Sequence, residues 1–224
     1  MKDAGVPLCL TSIHWSGYAT TDYRYDDVKG SWVEPAVNCS PGQNADSVFW
    51  VGLDGLPSGP VEQIGTDAAC SSGTPSYQAW YELYPAASVK LSNMDYPVYP
   101  GDALTGEVST NFDGNFTFTL QDTTQGWTYN ATNVTSTAGS AAGGYTAEWI
   151  AEAPEDFCGS SGCLAPLANF GTVNFTGCTV NGVLISQVFG TNMEIFMQSG
   201  STQKAQPSVI GSDGQSFSVT WYNS

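Results

Sequence analysis

The stretch SVFWVGLD, residues 47–54, alternates in a way that decides the fold. Successive strand side chains point to opposite faces, so Trp50 and Asp54 share one face and Phe49, Val51 and Leu53 share the other. The apolar face consists of Phe49, Val51 and Leu53. The pattern predicts a β-strand with one face in a hydrophobic core and one face in a polar cleft.

A second stretch, YQAWYELY at residues 77–84, divides in the same way. Its inward set is Ala79, Tyr81 and Leu83, and its outward set is Gln78, Trp80, Glu82 and Tyr84. In VEQIG, residues 61–65, Gln63 has the outward parity of Gly65 and Asp67. Glu62 has the inward parity, so we expect this strand to begin at or after Glu62. Short β-rich runs with frequent turn residues continue along the chain, which predicts an all-β fold of two packed antiparallel sheets.

Length and charge restrict the function. A chain of 224 residues without a linker-like segment fits one domain, residues 1–224. The formal net charge is −16, with 21 acidic side chains against 5 basic ones. Such a surface repels phosphate backbones and anionic lipids, so we expect neither nucleic acid nor a membrane as partner. Nothing indicates an interface, and we expect a monomer.

The scarcity of basic side chains also bears on stability. With 5 Lys and Arg residues and 1 His, few carboxylates can form ion pairs, and a fully protonated chain carries little positive charge. Acid therefore has little ion pairing to remove and creates little repulsion. We expect the protein to stay folded in acidic surroundings.

The 6 cysteines contain no CxxC pair, and with His14 alone a zinc site is not expected. Disulfides are expected instead, with Cys158 and Cys163 close enough to pair and the pairing of the other four open. Disulfides indicate an oxidising compartment. The start, MKDAGVPLCL, lacks the apolar core of a signal peptide, so we expect a secreted protein in its mature form. Sequons agree with secretion and lie at Asn38, Asn115, Asn130, Asn133 and Asn174.

Candidate chemistry centres on GYTAEWIAEAPED, residues 144–156, where Glu148 and Glu152 share one strand face with Ile150 between them. A serine or cysteine catalyst would need His14 as its base, and we interpret His14 as a packing or surface residue instead. Neither HExxH nor a calcium loop is present in the sequence, so no metal or cofactor is expected. Paired carboxylates could hydrolyse glycosides, but glucanases of the laminarinase type carry Asp at the position of Ile150. A carbohydrate-binding, lectin-like module remains a further alternative.

Peptide hydrolysis needs one carboxylate to activate water and a neutral hydrogen-bond donor for the oxyanion. Gln63 meets the second requirement, because its amide does not titrate and stays a donor at low pH. Four ordered blocks resemble the glutamic peptidases, the eqolisins: FWVGLDG (49–55), EQIG (62–65), AWYELYP (79–85) and AEWIAE (147–152). WSGY (15–18) is similar to their N-terminal element. The resemblance implies a lectin-like, concanavalin A-like β-sandwich and a secreted acid endopeptidase that is insensitive to pepstatin.

The resemblance also assigns site residues. The family's catalytic glutamine falls on Gln63 and its catalytic glutamate on Glu148. The substrate-binding positions implied by the matching blocks are Trp15, Trp50, Asp54, Asp67, Glu82 and Tyr84. The family often has Asp where this chain has Gln78, and an aromatic residue where it has Leu83. Glu152 is interpreted as a structural acid at the rim of the cleft, and Trp149 as a side chain that turns into the core.

Overall fold

Antiparallel strands make up most of the protein. The computed structural model describes residues 8–57, 59–137, 142–156 and 163–224. The strands in these ranges are β1 (Leu8–Ser12), β2 (Trp15–Thr21), β3 (Asp27–Val33), β4 (Val48–Asp54), β5 (Val61–Ser71), β6 (Thr74–Tyr84), β7 (Val89–Lys90), β8 (Ala103–Thr110), β9 (Asn115–Asp122), β10 (Trp127–Thr135), β11 (Ala147–Glu152), β12 (Glu155–Asp156), β13 (Cys163–Leu164), β14 (Thr172–Val180), β15 (Val183–Leu184), β16 (Thr191–Ser199), β17 (Thr202–Pro207) and β18 (Phe217–Trp221). Within these ranges the one helical segment is a 3-10 turn at Ile185–Gln187.

Strands β12 and β13 form a separate two-stranded sheet, and the other strands form one sheet that folds over into two layers. One layer, the cleft layer, has the order β16-β2-β11-β4-β5-β6-β7, and the other, the outer layer, has the order β10-β9-β8-β3-β14-β18. Strand β17 joins β18 to β16, and β1 adds to β16 in parallel. Strands β3 and β8 pack on β4, and β9 packs on β5. The predicted sandwich of two packed antiparallel sheets is confirmed.

The core lies between the layers, where the alternation predicted for β4 holds. The inward side chains Phe49, Val51 and Leu53 are each 0% exposed. Trp149 also turns inward, as predicted, and its Nε1 donates to the Lys29 carbonyl at 2.7 Å. Gly30 makes room for this indole, because a Cβ at Gly30 would lie 2.6 Å from Trp149 Cδ1.

The other face of the cleft layer is more buried than the sequence predicts. A second apolar cluster lies there, and it consists of Trp15, Ala19, Val48, Trp50, Val61, Trp80, Ile150 and Ile195. All seven residues of β4 are buried, on both faces. Indole side chains are large enough to cover neighbouring strands, so much of this face is apolar and buried.

Glu62 departs from the expected strand boundary. Strand β5 begins before it, at Val61, and Glu62 lies opposite Leu53 and Leu83 on the core side. The side chain is 0% exposed, and Ser136 donates a hydrogen bond of 2.8 Å to Glu62 Oε1. Burial raises the pKa of Glu62, so the group is accommodated as a neutral acid.

One disulfide, Cys39–Cys70, ties the far end of β5 to the segment before β4, with 5.6 Å between the Cα atoms. Cys9 is an exposed free thiol and Cys178 a buried one, so the expectation that these cysteines form disulfides is wrong. They lie in β1 and β14, strands that do not pair with each other. The predicted Cys158–Cys163 pair involves Cys158, which lies outside the described residues.

Candidate active site

The strand register places Gln63 and Glu148 on one row across the cleft layer. Gly52 pairs with Gln63 on β5 and with Glu148 on β11. Directly opposed residues of a sheet point to the same face, so both side chains lie on the face of the cleft layer that is turned away from the main core. Their backbones lie two strand spacings apart, or about 10 Å. Two residues that are far apart in the sequence thus face each other across one glycine.

Gly52 keeps the space between them open. A Cβ at this position would lie 3.1 Å from Gln63 Cβ and 3.0 Å from the Trp50 ring. Both distances are tighter than ordinary van der Waals contact. Any side chain here would therefore occupy the gap that the two functional groups share.

Glu148 is 0% exposed. Neither carboxyl oxygen has a hydrogen bond of normal geometry to a described residue. Burial raises the pKa of Glu148 well above the usual range, and the carboxylates of Asp54 and Glu62 raise it further, while the nearby Thr146 hydroxyl acts in the opposite direction. The side chain is a buried acid, and Thr146 is the hydroxyl that acts on it.

Gln63 is held in place by Glu82, its neighbour on β6. Its Nε2 donates to Glu82 Oε2 at 2.6 Å, and its Oε1 is buried without a partner among the described residues. Burial raises the pKa of Glu82, and the hydrogen bond from Gln63 lowers it. One amide hydrogen is used to fix the orientation, which leaves the other for a ligand.

Asp54 fixes the segment that leads into β11. Its carboxylate accepts hydrogen bonds from the backbone N–H groups of Gly144, at 2.9 Å, and Tyr145, at 2.7 Å. Burial raises its pKa and these two bonds lower it. The backbone of Asp54 has φ 67°, which turns the chain out of β4. Its carboxylate lies close enough to Glu62 and Glu148 for the three acids to influence one another.

Aromatic side chains form the floor beside this row. Trp15 and Trp50 meet edge to face with 5.1 Å between ring centroids. Trp50 Nε1 donates to Glu152 Oε2 at 2.7 Å. Burial raises the pKa of Glu152 to about 8, and the hydrogen bond from Trp50 lowers it. Glu152 thus positions an indole of the cleft, which agrees with its interpretation as a structural acid.

The remaining predicted positions lie further from Glu148. Asp67 lies four residues along β5 from Gln63, where burial raises its pKa and the hydrogen bond with Asp46 lowers it. Tyr84 ends β6 and is 46% exposed. The sequence prediction did not include Gly52 or Glu62 in the site. For Glu62 a signal existed, because an acid at an inward position has to be explained by its surroundings.

Metal ligation is not indicated: the described ranges contain no group of three or more His, Cys, Asp or Glu residues that could hold a metal ion. No helix among the described residues is long and apolar enough to cross a membrane.

A β-sandwich with a buried glutamate and a fixed glutamine on one sheet face is the arrangement that the resemblance to the glutamic peptidases implies. Residues 13–221 match the Peptidase A4 family. The chain belongs to this family, and it is a glutamic endopeptidase.

Relatives in the family share moderate identity with the chain. It is 28% identical to aspergillopepsin-2 of Aspergillus niger over 233 residues, which cover 94% of this chain and 78% of that protein. It is 30% identical to scytalidopepsin B of Scytalidium lignicola over 172 residues, which cover 75% of this chain and 63% of that protein.

Solved structures agree with this assignment. The structure of scytalido-glutamic peptidase with a transition state analog inhibitor superposes with a TM-score of 0.81 at 26% identity, covering 94% of this chain and 99% of that one. Aspergilloglutamic peptidase from Aspergillus niger gives a TM-score of 0.66 at 26% identity, covering 80% of this chain and 99% of that one.

Proposed function

We propose that Glu148 and Gln63 are the catalytic dyad of an acid endopeptidase. The observation that carries the proposal is their shared register row, with both side chains on one sheet face and only Gly52 between them. A water molecule held between the two groups is the nucleophile. The carboxyl oxygens of Glu148 and the second amide hydrogen of Gln63 are the groups that would hold it.

Ionised Glu148 takes a proton from this water as the water oxygen attacks the carbonyl carbon of the peptide bond. The oxygen of the resulting tetrahedral intermediate accepts a hydrogen bond from Gln63 Nε2, which Glu82 holds in orientation. The C–N bond then breaks, and Glu148 returns the proton to the leaving nitrogen. Burial favours the protonated acid that this second step requires, and the titration belongs to the cluster of Glu148, Asp54 and Glu62.

The cleft side chains of Trp15, Trp50 and Tyr84 provide apolar surface for a peptide, and Asp54, Asp67 and Glu82 provide polar groups. We propose that the protein is secreted into acidic surroundings, in agreement with the Cys39–Cys70 disulfide. It acts on protein or peptide substrates as a monomer, and residues 1–224 constitute one peptidase domain. Its activity is insensitive to pepstatin, because no paired aspartates of the pepsin type are involved.

The test is incubation with denatured casein and, separately, with a β-glucan over a pH range of about 3 to 6, which covers an ordinary glutamate and one whose pKa is raised by burial, as that of Glu148 is. We expect peptides from casein, also with pepstatin present, and no reducing ends from the glucan. Glu148→Gln and Gln63→Ala should each reduce kcat at least about 1000-fold with unchanged circular dichroism. The matched control is Glu107→Gln, which changes a partly exposed glutamate of the outer layer. More than trace activity in either dyad variant contradicts the assignment.

A further inference from the structure

A large pocket opens beside the dyad, at the end of the cleft layer where β2 ends and β11 begins. Its volume is about 1120 Å³. We call it the aromatic pocket and define it by the side chains of Leu10, Tyr23, Phe112, Tyr145, Thr146 and Met193, which lie along its walls and floor. None of the residues predicted from the sequence for the site lines it.

The aromatic pocket is continuous with the catalytic cleft. Thr146 lies two residues before Glu148 and on the same strand face, or about 7 Å away along the chain. Met193 pairs with Ala19, which pairs with Glu148, so the floor of the pocket extends the catalytic row. Leu56, which also lines the pocket, packs against the Trp15 and Trp50 cluster. An extended peptide crossing Glu148 would reach this pocket within two or three residues.

The walls are apolar and exposed. Tyr23 is 52% exposed, Phe112 41% and Tyr145 50%. Exposed aromatic side chains that converge on one concavity are a typical binding surface for apolar groups. Flat rings also favour another ring, since edge-to-face and offset contacts add to the burial of apolar area.

Charge does not decide what the aromatic pocket accepts. Arg24 is the one arginine of the sequence, and its Nε and Nη2 both donate to the Gly143 carbonyl, at 3.0 and 2.7 Å. Its guanidinium carbon lies 4.4 Å from the centroid of Phe112 and 5.3 Å from that of Tyr145. Asp22 and Asp26 line the same pocket, so it has two acidic side chains beside this one cation. Arg24 therefore packs against the rings of Phe112 and Tyr145, and its hydrogen bonds to Gly143 hold it there and not on a substrate carboxylate.

We propose that the aromatic pocket is a specificity subsite, which accepts a large apolar side chain, preferably aromatic, two or three residues from the scissile bond. This inference rests on the proposed dyad, because it places the scissile bond at Glu148. It adds Tyr145 as a specificity-determining residue.

The experiment uses synthetic peptides that share one cleavage site and carry Ala or Phe at each of the three positions on either side. We expect Phe to raise kcat/KM about tenfold over Ala at one position, the second or third on one side, and not on the other. In Tyr145→Ala this ratio should fall to about twofold, whereas Tyr145→Phe, which keeps the ring, should retain it. The matched control is Tyr222→Ala, since Tyr222 is 54% exposed and lies outside the pocket.

A ratio within about twofold at these positions in the wild type, or an unchanged ratio in Tyr145→Ala, overturns the subsite. Because each variant is compared on two peptides, a partly unfolded preparation does not change the ratio. Failure of the dyad is a separate result: the wild type would cleave no peptide, or Glu148→Gln would cleave as well as the wild type.

Discussion

Three side chains of different charge lie near the buried Glu148. Asp54 and Glu62 are acids and raise its pKa, whereas Gln63 is a neutral amide on the opposite side of Gly52. A carboxyl group in such surroundings holds a proton firmly, and it is a stronger base when ionised than a glutamate in water. Both properties suit one residue that first accepts a proton and then returns it.

Gly52→Ala tests whether the gap between the two groups matters. The added Cβ would lie 3.1 Å from Gln63 Cβ, so it pushes Gln63 and narrows the space for water and substrate. We expect kcat/KM to fall at least about tenfold, measured on a single peptide at acid pH.

The matched control is Gly59→Ala, because a Cβ at Gly59 has no heavy atom within 4 Å. Its kcat/KM should stay within about twofold of the wild type. Equal activity in Gly52→Ala and the wild type would show that the groups do not act across this gap.

Strand β4 is the element around which the site is built. It pairs with β5 on one side and with β11 on the other, so it sets the relative register of Gln63 and Glu148. Its inward face belongs to the main core and its outward face to the floor of the cleft. A slip by one residue would exchange the two faces, and burial on both sides opposes such a slip.

Asp54, at the end of β4, holds the segment before β11 in position through hydrogen bonds. Asp54→Ala removes the acceptor of the Gly144 and Tyr145 N–H groups. We expect the free energy of unfolding to fall by about 2 kcal/mol, since buried donors lose their partner. We also expect kcat to decrease more than KM changes, because Glu148 lies three residues beyond Tyr145.

The measurements are urea unfolding and steady-state kinetics at the same acid pH. Asp95→Ala, at an exposed aspartate, is the control and should change neither quantity. A normal kcat in Asp54→Ala would mean that this segment does not position Glu148.

Several acidic side chains of this protein are buried at positions where most proteins have apolar side chains or ion pairs. In the described part of the chain one ion pair occurs, Lys29 with Glu107, at 2.9 Å on the surface. Glu34, by contrast, is buried in the core, where it accepts a hydrogen bond of 2.6 Å from Thr66. Burial raises the pKa of Glu34 to about 8. Asp46 and Glu62 also have pKa values raised by burial.

Stability should therefore decrease as the pH rises. The folded protein keeps protons on these acids up to a pH of about 8, the pKa of Glu34, whereas unfolded glutamates lose them near pH 4. Between these values the folded state binds more protons, so the free energy of unfolding falls by about 1.4 kcal/mol per pH unit for each such acid. Below about pH 4 both states are protonated and the stabilisation is complete.

Urea unfolding between about pH 3 and 8 measures this slope. We expect the highest stability in acid and, in Glu34→Gln, a slope that is shallower by about one proton. The exposed Asp95→Asn should leave the slope unchanged. Stability that rises from pH 4 to 7 would contradict the role assigned to the buried acids.

Several features could be predicted from the sequence because they depend on neighbours along the chain. Alternation in residues 47–54 gave the inward face of β4, and the ordered blocks gave the fold and the candidates Gln63 and Glu148. The aromatic pocket could not be predicted in this way. Its walls come from separate segments around Tyr23, Phe112 and Tyr145, and no local pattern records that these meet.

The sequence by itself determined the strand pattern, the acidic balance and the family, since each follows from residue types and short spacings. Only the tertiary structure decided that Gly52 separates Gln63 from Glu148, that Glu62 lies buried near them, and that an aromatic pocket adjoins the cleft. The physical reason is register. Strand pairing brings distant residues onto one row, and burial then changes the protonation of the acids that meet there.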